Sequence, residues 1–294
     1  MTKSFENRDG WIWFNDEFIE WKDAKTHIIS QGLHYAGAVF EGERAYNGKI
    51  FKSNEHTNRF FKSAEIVGIK LPYSKEQINL AKDELIKKMN YKDCYVRPIA
   101  WRGGSQMGLS TSNSDINVAI AVWDDWASYF KIEDRKAGLK LITSPWKRPA
   151  PDTAPFEAKA SGPYIICTMS KEYAETKGYH DALMLDYRGY VAEGTGANIF
   201  FIKENNIHTP IPDCFLNGIT RQTVIEMATK QGFNITERHI LPNQISEYDE
   251  AFLTGTAAEI TPIRSIDGIN YNTGDNTTTF KFMGDFTNLV SQVS

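Results

Sequence analysis

The stretch Ala158-Lys159-Ala160-Ser161-Gly162-Pro163-Tyr164 decides how this chain is read. Its lysine stands between two alanines and is followed by a serine and a glycine, so no bulky neighbour crowds the ammonium. A lysine that must bond covalently to a flat ring needs such close approach, and it needs help to lose its proton. The same residues also suit a solvent-facing lysine in a turn, with Pro163 opening a helix. The stretch alone leaves both readings open, and the rest of the chain has to choose between them.

A chain of 294 residues can bury a large core and hold two domains. Hydrophobic residues make up 41% and charged residues 24%, an ordinary globular balance. The formal net charge of −4 leaves no basic footprint for nucleic acid or an anionic membrane. Cys94, Cys167 and Cys214 lie far apart and form no C-x-x-C pair, which argues against a disulfide framework and against a metal site. The segment 1–9 lacks the apolar centre of a signal peptide, and no apolar run approaches membrane-spanning length. The expectation is a soluble cytoplasmic protein.

Outward from the lysine, hydrophobic spacing organises the chain. Residues 10–19 read as a hairpin around Asn15-Asp16, and 34–46 as a further extended stretch whose glycines suggest close approach of backbone or ligand. A helix from 53 to 67 has Phe60, Phe61, Ala64 and Val67 on its apolar side, with Arg59 on a neighbouring face. Ser74 to Gln77 is a capping box for the next helix. Apolar strands at 94–101 and 116–123 flank a loop with three glycines and Met107, a candidate binding loop or simply a long connection. Charged, aperiodic sequence after 124 marks a boundary. The expected division is a smaller α/β domain over 1–125, an interdomain loop over 126–137, and a larger domain over 138–294 carrying Lys159. The second half reads as a strand at 139–144, a proline-rich coil at 145–155, a helix at 164–177 and a hairpin around Tyr187-Arg188-Gly189. A strand at 197–203, a helix at 220–232, a strand at 251–253 and a C-terminal packing helix follow.

Several groups along this order could carry chemistry. Gly218-Ile219-Thr220 opens a helix, where unpaired N–H groups favour a phosphate. Gly255-Thr256-Ala257 leaves a strand in a turn of small residues that offers further donors. Arg59 can supply a bidentate counter-charge. Glu193, ahead of Gly194 and Gly196, could keep a ring nitrogen protonated, and Tyr164 could hydrogen-bond a phenolate. Each of these also has a plain reading as a helix cap, a turn acid or a packing aromatic. Together they are the set that pyridoxal 5'-phosphate requires: an attaching lysine, a carboxylate for the pyridinium, a tyrosine for the phenolate and a phosphate cup with an arginine.

In order and spacing the chain resembles the class IV (fold type IV) pyridoxal-phosphate aminotransferases, and most closely the bacterial branched-chain amino acid aminotransferases. The motifs are His34-Tyr35, Phe40-Glu41-Gly42, Glu55-His56 with Arg59, Tyr95-Val96-Arg97-Pro98, Met107-Gly108, the Lys159 stretch with Tyr164, Glu193-Gly194-x-Gly196-x-Asn198, Gly218-Ile219-Thr220-Arg221 and Gly255-Thr256-Ala257-Ala258. The resemblance covers about 11–267 and implies a mixed αβ (α+β), two-domain architecture of the D-amino acid aminotransferase type. It implies that Lys159 is catalytic and that Arg59, Lys159, Tyr164, Glu193, Gly218, Ile219, Thr220, Gly255 and Thr256 hold the cofactor. Substrate would meet Phe40, Trp126, Tyr129, Thr256, Ala257 and Ala258, with Tyr95 and Arg97 receiving the second carboxylate of glutamate. Tyr35, Met107 and Leu109 would be lent by a neighbouring subunit, which implies a homodimer or a higher homo-oligomer with a shared active site. Ala197, Pro163 and the Ser105-Gln106 loop tip depart from the family pattern.

The implied activity is ping-pong transfer of the amino group of leucine, isoleucine or valine to 2-oxoglutarate. Lys159 would move the proton as general acid–base. D-amino acid transaminases trap the α-carboxylate with an arginine and a histidine in the loop that is 103–110 here, and this loop has neither. Amine transaminases and the pyruvate-releasing aminodeoxychorismate lyases share the scaffold and compete with this reading, while the intact lysine, tyrosine and glutamate set argues against a non-catalytic cofactor or phosphate carrier.

Overall fold

The computed structural model describes residues 4–124, 135 and 137–293. The chain divides into two compact units. One gathers residues up to 124 with Ala158–Gly162, and the other takes up the chain to Glu157 and again from Pro163. Lys159, within Ala158–Gly162, is grouped with the first unit, and Pro163 and Tyr164 with the second.

Among the described residues of the first unit, seven strands form one sheet. They are β1 (Trp11–Phe14), β2 (Glu17–Glu20), β3 (Ala38–Phe40), β4 (Glu43–Tyr46), β5 (Lys49–Ile50), β6 (Cys94–Arg102) and β7 (Ile116–Trp123). The order is β2-β1-β7-β6-β4-β5, with β3 also on β6. Asn15 and Asp16, with φ of 49° and 72°, make the β1–β2 turn, a conformation these two residue types tolerate. The expected extended run over 34–46 is broken. Gln31–Tyr35 is a short helix that ends at Ala36 with φ of 54°, and only then do β3 and β4 begin. The helices Ser53–Ile66 and Lys75–Met89 follow. Ser74 Oγ accepts from Gln77 N at 3.2 Å and Gln77 Oε1 accepts from Ser74 N at 2.8 Å, the capping box read from sequence.

Strand alternation matters most on β6. Cys94, Val96 and Ala100 point into the core with Phe60, Ala64, Ile78 and Leu85, so Tyr95, Arg97 and Ile99 face the other way.

The second unit holds nine strands in one sheet among its described residues. These are β8 (Leu139–Arg148), β9 (Asp181–Asp186), β10 (Val191–Glu193), β11 (Asn198–Lys203), β12 (Asn206–Thr209), β13 (Asn234–Glu237), β14 (Glu250–Gly255), β15 (Glu259–Ile266) and β16 (Ile269–Asn270). The path runs β10-β9-β8-β15-β14-β11-β12-β13, with β16 on β15. β8 does not stop at Ser144 for a coil, as its proline suggests, but continues through Pro145 to Arg148. The pairing with β9 skips from Thr143 to Lys147, so Pro145 falls in the irregular stretch of the ladder. The helices Tyr164–Thr176, Ile219–Lys230 and Thr278–Ser291 complete the unit. Asp186 Oδ1 accepts from the backbone N–H groups of Arg188, Gly189 and Tyr190, each at 2.9 Å, and this turn delivers β10 and its last residue, Glu193. No helix among the described residues is long and apolar enough to cross a membrane.

Candidate active site

In the first unit, the lysine segment is held by an isolated β-bridge and the backbone bonds on either side of it. Val39 and Ala160 form a bridge, Phe40 N donates to Lys159 O at 3.0 Å, and Ser161 N donates to Ala38 O at 3.0 Å. Lys159 N donates to Ser63 Oγ at 2.9 Å. Ala158 and Ala160 enter the hydrophobic core, which is why small residues flank the lysine. Lys159 Nζ lies 4.9 Å from the centre of the Phe40 ring. Burial, and then the positive charge of Arg59, pull the ammonium down to about 8, against the opposing pull of Glu41.

Arg59 reaches this region from the helix Ser53–Ile66. Its Nε donates to Glu41 Oε1 at 2.7 Å and its Nη2 to Glu41 Oε2 at 2.8 Å. His56, one turn earlier, lies with Nδ1 2.8 Å from Glu41 Oε2. Burial by itself raises the Glu41 carboxyl, but Arg59 and His56 reverse this and hold it well below the usual carboxylate range. Glu41 and His56 appear in the sequence motifs without a role, because neither type of residue signals a partner so distant in the chain. Arg97 Nη2 donates to Tyr95 Oη at 3.1 Å, and the guanidinium lies 4.9 Å from the Phe40 ring centre. A Cβ on Gly42 would fall 2.0 Å from Tyr95 Oη, so only glycine fits beside this phenol. Tyr35, Met107 and Leu109 are exposed at 44%, 44% and 81%. The loop carrying Met107 and Leu109 is tied by Ser105 N to Asp115 Oδ1 at 2.8 Å and by Asn113 N to Gln106 Oε1 at 3.0 Å, which gives the departing residues Ser105 and Gln106 a structural use.

In the second unit, Glu193 is buried where β10 pairs with Asn198 of β11. Asn198 Nδ2 donates to Glu193 Oε2 at 3.2 Å and to Leu216 O at 3.0 Å, while its Oδ1 accepts from Gly218 N at 3.1 Å. One amide thus joins the carboxylate to the first turn of the helix Ile219–Lys230. A Cβ on Gly218 would lie 2.3 Å from Asn198 Oδ1. Ile219 and Thr220 are buried in that first turn, where N–H groups have no helical acceptor. Arg148 Nε stands 3.5 Å from Glu193 Oε1, both side chains largely buried. Burial opposes the Arg148 cation, yet the neighbouring Glu193, Cys167 and Tyr164 raise its affinity for the proton. Sequence reasoning does not find Arg148, because ending the strand at Pro145 leaves this residue in a coil.

Tyr164 is the first residue of its helix, and Pro163 takes the preceding cap position at φ −61°. The proline departure therefore presets the helix start. Gly255, Thr256, Ala257 and Ala258 form the β14–β15 connection, with Gly255 paired to Glu259 and Thr261 Oγ1 donating to Ala258 O at 2.6 Å. Ala197 is buried in the core beside this turn. Trp126 and Tyr129 lie outside the described residues. The structure thus brings together Lys159, Phe40, Arg59, Tyr95 and Arg97 in one unit, and Glu193, Asn198 and Gly218–Thr220 in the other.

A lysine of lowered proton affinity and a clamped arginine stand in one unit, and a buried carboxylate joined through Asn198 to a helix start in the other. The family model described as amino-transferase class IV matches residues 38–266, and the chain belongs to that family. It is 44% identical over 267 residues to the probable branched-chain-amino-acid aminotransferase of Rickettsia bellii, with 91% of each chain covered. It is 41% identical over 275 residues to the branched-chain-amino-acid aminotransferase of Pseudomonas aeruginosa, covering 92% of this chain and 89% of that one. The branched-chain aminotransferase of the thermophilic archaeon Thermoproteus uzoniensis, solved with norvaline, is 34% identical and matches with a TM-score of 0.91, covering 97% of this chain and 95% of that one.

Proposed function

We propose that this protein is a pyridoxal-phosphate enzyme that moves the amino group of leucine, isoleucine or valine to 2-oxoglutarate, giving branched 2-oxo acids and L-glutamate by a ping-pong route. The observation that carries the reading is Lys159, a half-buried amine against the Phe40 ring whose proton affinity is lowered to about 8 beside Arg59 and Arg97. The residues fit the cofactor chemically: Lys159 to attach it, Glu193 to keep its ring nitrogen charged, and Tyr164 to meet its phenolate. Arg59, the N–H groups of Ile219 and Thr220 just after Gly218, and the turn Gly255-Thr256 would take its phosphate. When bound, that cofactor supplies an electron sink for the bonds at the substrate α-carbon.

The chain's own work follows from its residues. Near neutral pH an appreciable fraction of Lys159 is free amine, so it can take the proton from the substrate α-carbon and return it. Arg148 and Asn198 hold and orient the Glu193 carboxylate. Thr256 and Ala257 would receive the α-carboxylate. Phe40, Ala258, Trp126 and Tyr129 would enclose an apolar side chain, while Arg97 and Tyr95 would receive the second carboxylate of glutamate. The exposed apolar side chains Ile28, Leu33, Tyr35, Met107 and Leu109 support a homodimer or larger assembly in which a second copy covers them.

The test follows the spectrum of the bound cofactor during single half-reactions with L-leucine, L-glutamate and D-alanine. Conversion by the two L-substrates, abolished in Lys159→Ala, is expected. Conversion by D-alanine alone, or full conversion by Lys159→Ala, overturns the reading.

A further inference from the structure

Arg97 poses a physical problem. It makes no ion pair among the described residues, and its Nε is buried without a hydrogen-bond partner among them. A half-buried guanidinium in that condition needs its charge met in some other way. Three aromatic rings meet it. The Arg97 Cζ lies 4.9 Å from the centre of Phe40, 5.2 Å from Tyr95 and 6.0 Å from Trp123, all within cation–π range.

The sheet register explains how the third ring reaches the arginine. Tyr95 of β6 is directly opposite Trp123 of β7, and Arg97 is directly opposite Ala121. The small alanine leaves room over its position, so the diagonal neighbour Trp123 can reach the guanidinium while its ring also packs on Tyr95, 4.9 Å between centres at 32°. Trp123 is itself backed from outside. The Phe5 ring stands edge-on to it at 5.4 Å and 90°, and Trp21 Nε1 donates to Phe5 O at 2.6 Å. Arg8 covers the other side of Phe5 at 3.8 Å.

We propose that Trp123, backed by Phe5, is a specificity-determining positioning residue: it holds Tyr95 and Arg97 in the arrangement that accepts the acidic substrate, and it does not touch the reacting atoms. This rests on the reading of Arg97 as the receiver of the second carboxylate. An arginine held by rings instead of by a fixed carboxylate can lie beside an apolar substrate and still be available when a carboxylate arrives. A salt bridge would have to be broken for each acidic substrate, and the rings impose no such competition. Trp123 also borders the apolar group of Ile12, Trp21 and Ala119, so the comparison of leucine with phenylalanine at this position separates packing from ring contact.

The experiment compares Trp123→Leu, Trp123→Phe, Phe5→Ala and Arg97→Met in the cofactor-loaded enzyme, reading KM and kcat separately for 2-oxoglutarate and L-leucine. Trp123→Leu is expected to raise KM for 2-oxoglutarate about tenfold and to leave L-leucine within about twofold, with Trp123→Phe recovering most of the difference. Phe5→Ala, a change at a side chain 53% exposed, is expected to shift the same substrate in the same direction by less, and it decides the matter should the Trp123 variants fold poorly. Equal shifts for both substrates, or no shift while Arg97→Met does raise the KM for 2-oxoglutarate, overturn the role of Trp123. An unchanged KM for 2-oxoglutarate in Arg97→Met overturns the reading of Arg97 itself, and the proposal with it.

Discussion

Glu41 grips Arg59 through two parallel bonds, Nε to Oε1 at 2.7 Å and Nη2 to Oε2 at 2.8 Å, so the guanidinium plane is fixed by a fully buried carboxylate. Two parallel charge-assisted bonds determine orientation as well as position. Whatever anion Arg59 serves, Glu41 aims it.

Glu41→Gln is therefore expected to weaken retention of the cofactor and also to destabilise the fold. Removing one member of a buried ion pair costs about 3–5 kcal/mol. Equilibrium cofactor titration and urea unfolding of the variant check both effects. The pH dependence carries a sign. Because the folded Glu41 carboxyl is depressed, its contribution is complete above the ordinary range of about 4 and is lost as acid carries the pH down toward the folded value. The variant should lack that acid-side loss.

Lys159 makes the corresponding prediction on the alkaline side. Its amine titrates near 8 when folded, against 10.5 for an ordinary lysine, so the unfolded chain binds the extra proton between those values. Stability therefore rises with pH across that window, and Lys159→Met should flatten the rise. Reductive methylation of the cofactor-free protein should modify Lys159 with a midpoint near 8. Arg59→Gln, which removes a repelling cation, should move that midpoint upward.

Arg148 should matter to Glu193 well beyond packing. With Arg148 gone, the buried Glu193 carboxylate would lose the cation that stands 3.5 Å from its Oε1. Arg148→Met is expected to lower unfolding stability by about 3 kcal/mol, and Arg148→Lys by less. Chemical denaturation of the three proteins measures the difference.

Gly218 and Asn198 should behave as a coupled pair. A methyl at 218 would stand 2.3 Å from Asn198 Oδ1 and force the amide off the Gly218 N–H. Gly218→Ala should cost about 1–3 kcal/mol in the native background and clearly less in Asn198→Ala. Additive losses in the double-mutant cycle would count against the contact.

The sequence disclosed much of this because its signals were local. The capping box at Ser74, the Asn15-Asp16 turn and the helix start at Gly218 are decided by a few adjacent residues, and each stands where the local chemistry puts it. What stayed hidden was pairing at a distance. Gln31–Tyr35 is a single turn of helix too short to show a period. Pro145 reads as a strand end unless the irregular ladder with β9 is known. Arg148 finds Glu193 only after that strand has run on, and Glu41 finds Arg59 across 18 residues. The family resemblance proposes the cofactor residues, and the side chains that hold those residues in place are legible only in three dimensions.

The backbone bridge between Val39 and Ala160 also fixes an order of events during synthesis. Until residue 162 leaves the ribosome, β3 lacks its second neighbour, Ser63 lacks the Lys159 amide, and the core seats for Ala158 and Ala160 stand empty. Closing a loop of this length is entropically slow compared with hairpin and helix formation. The first unit is therefore completed last along its own edge, by the segment that carries Lys159.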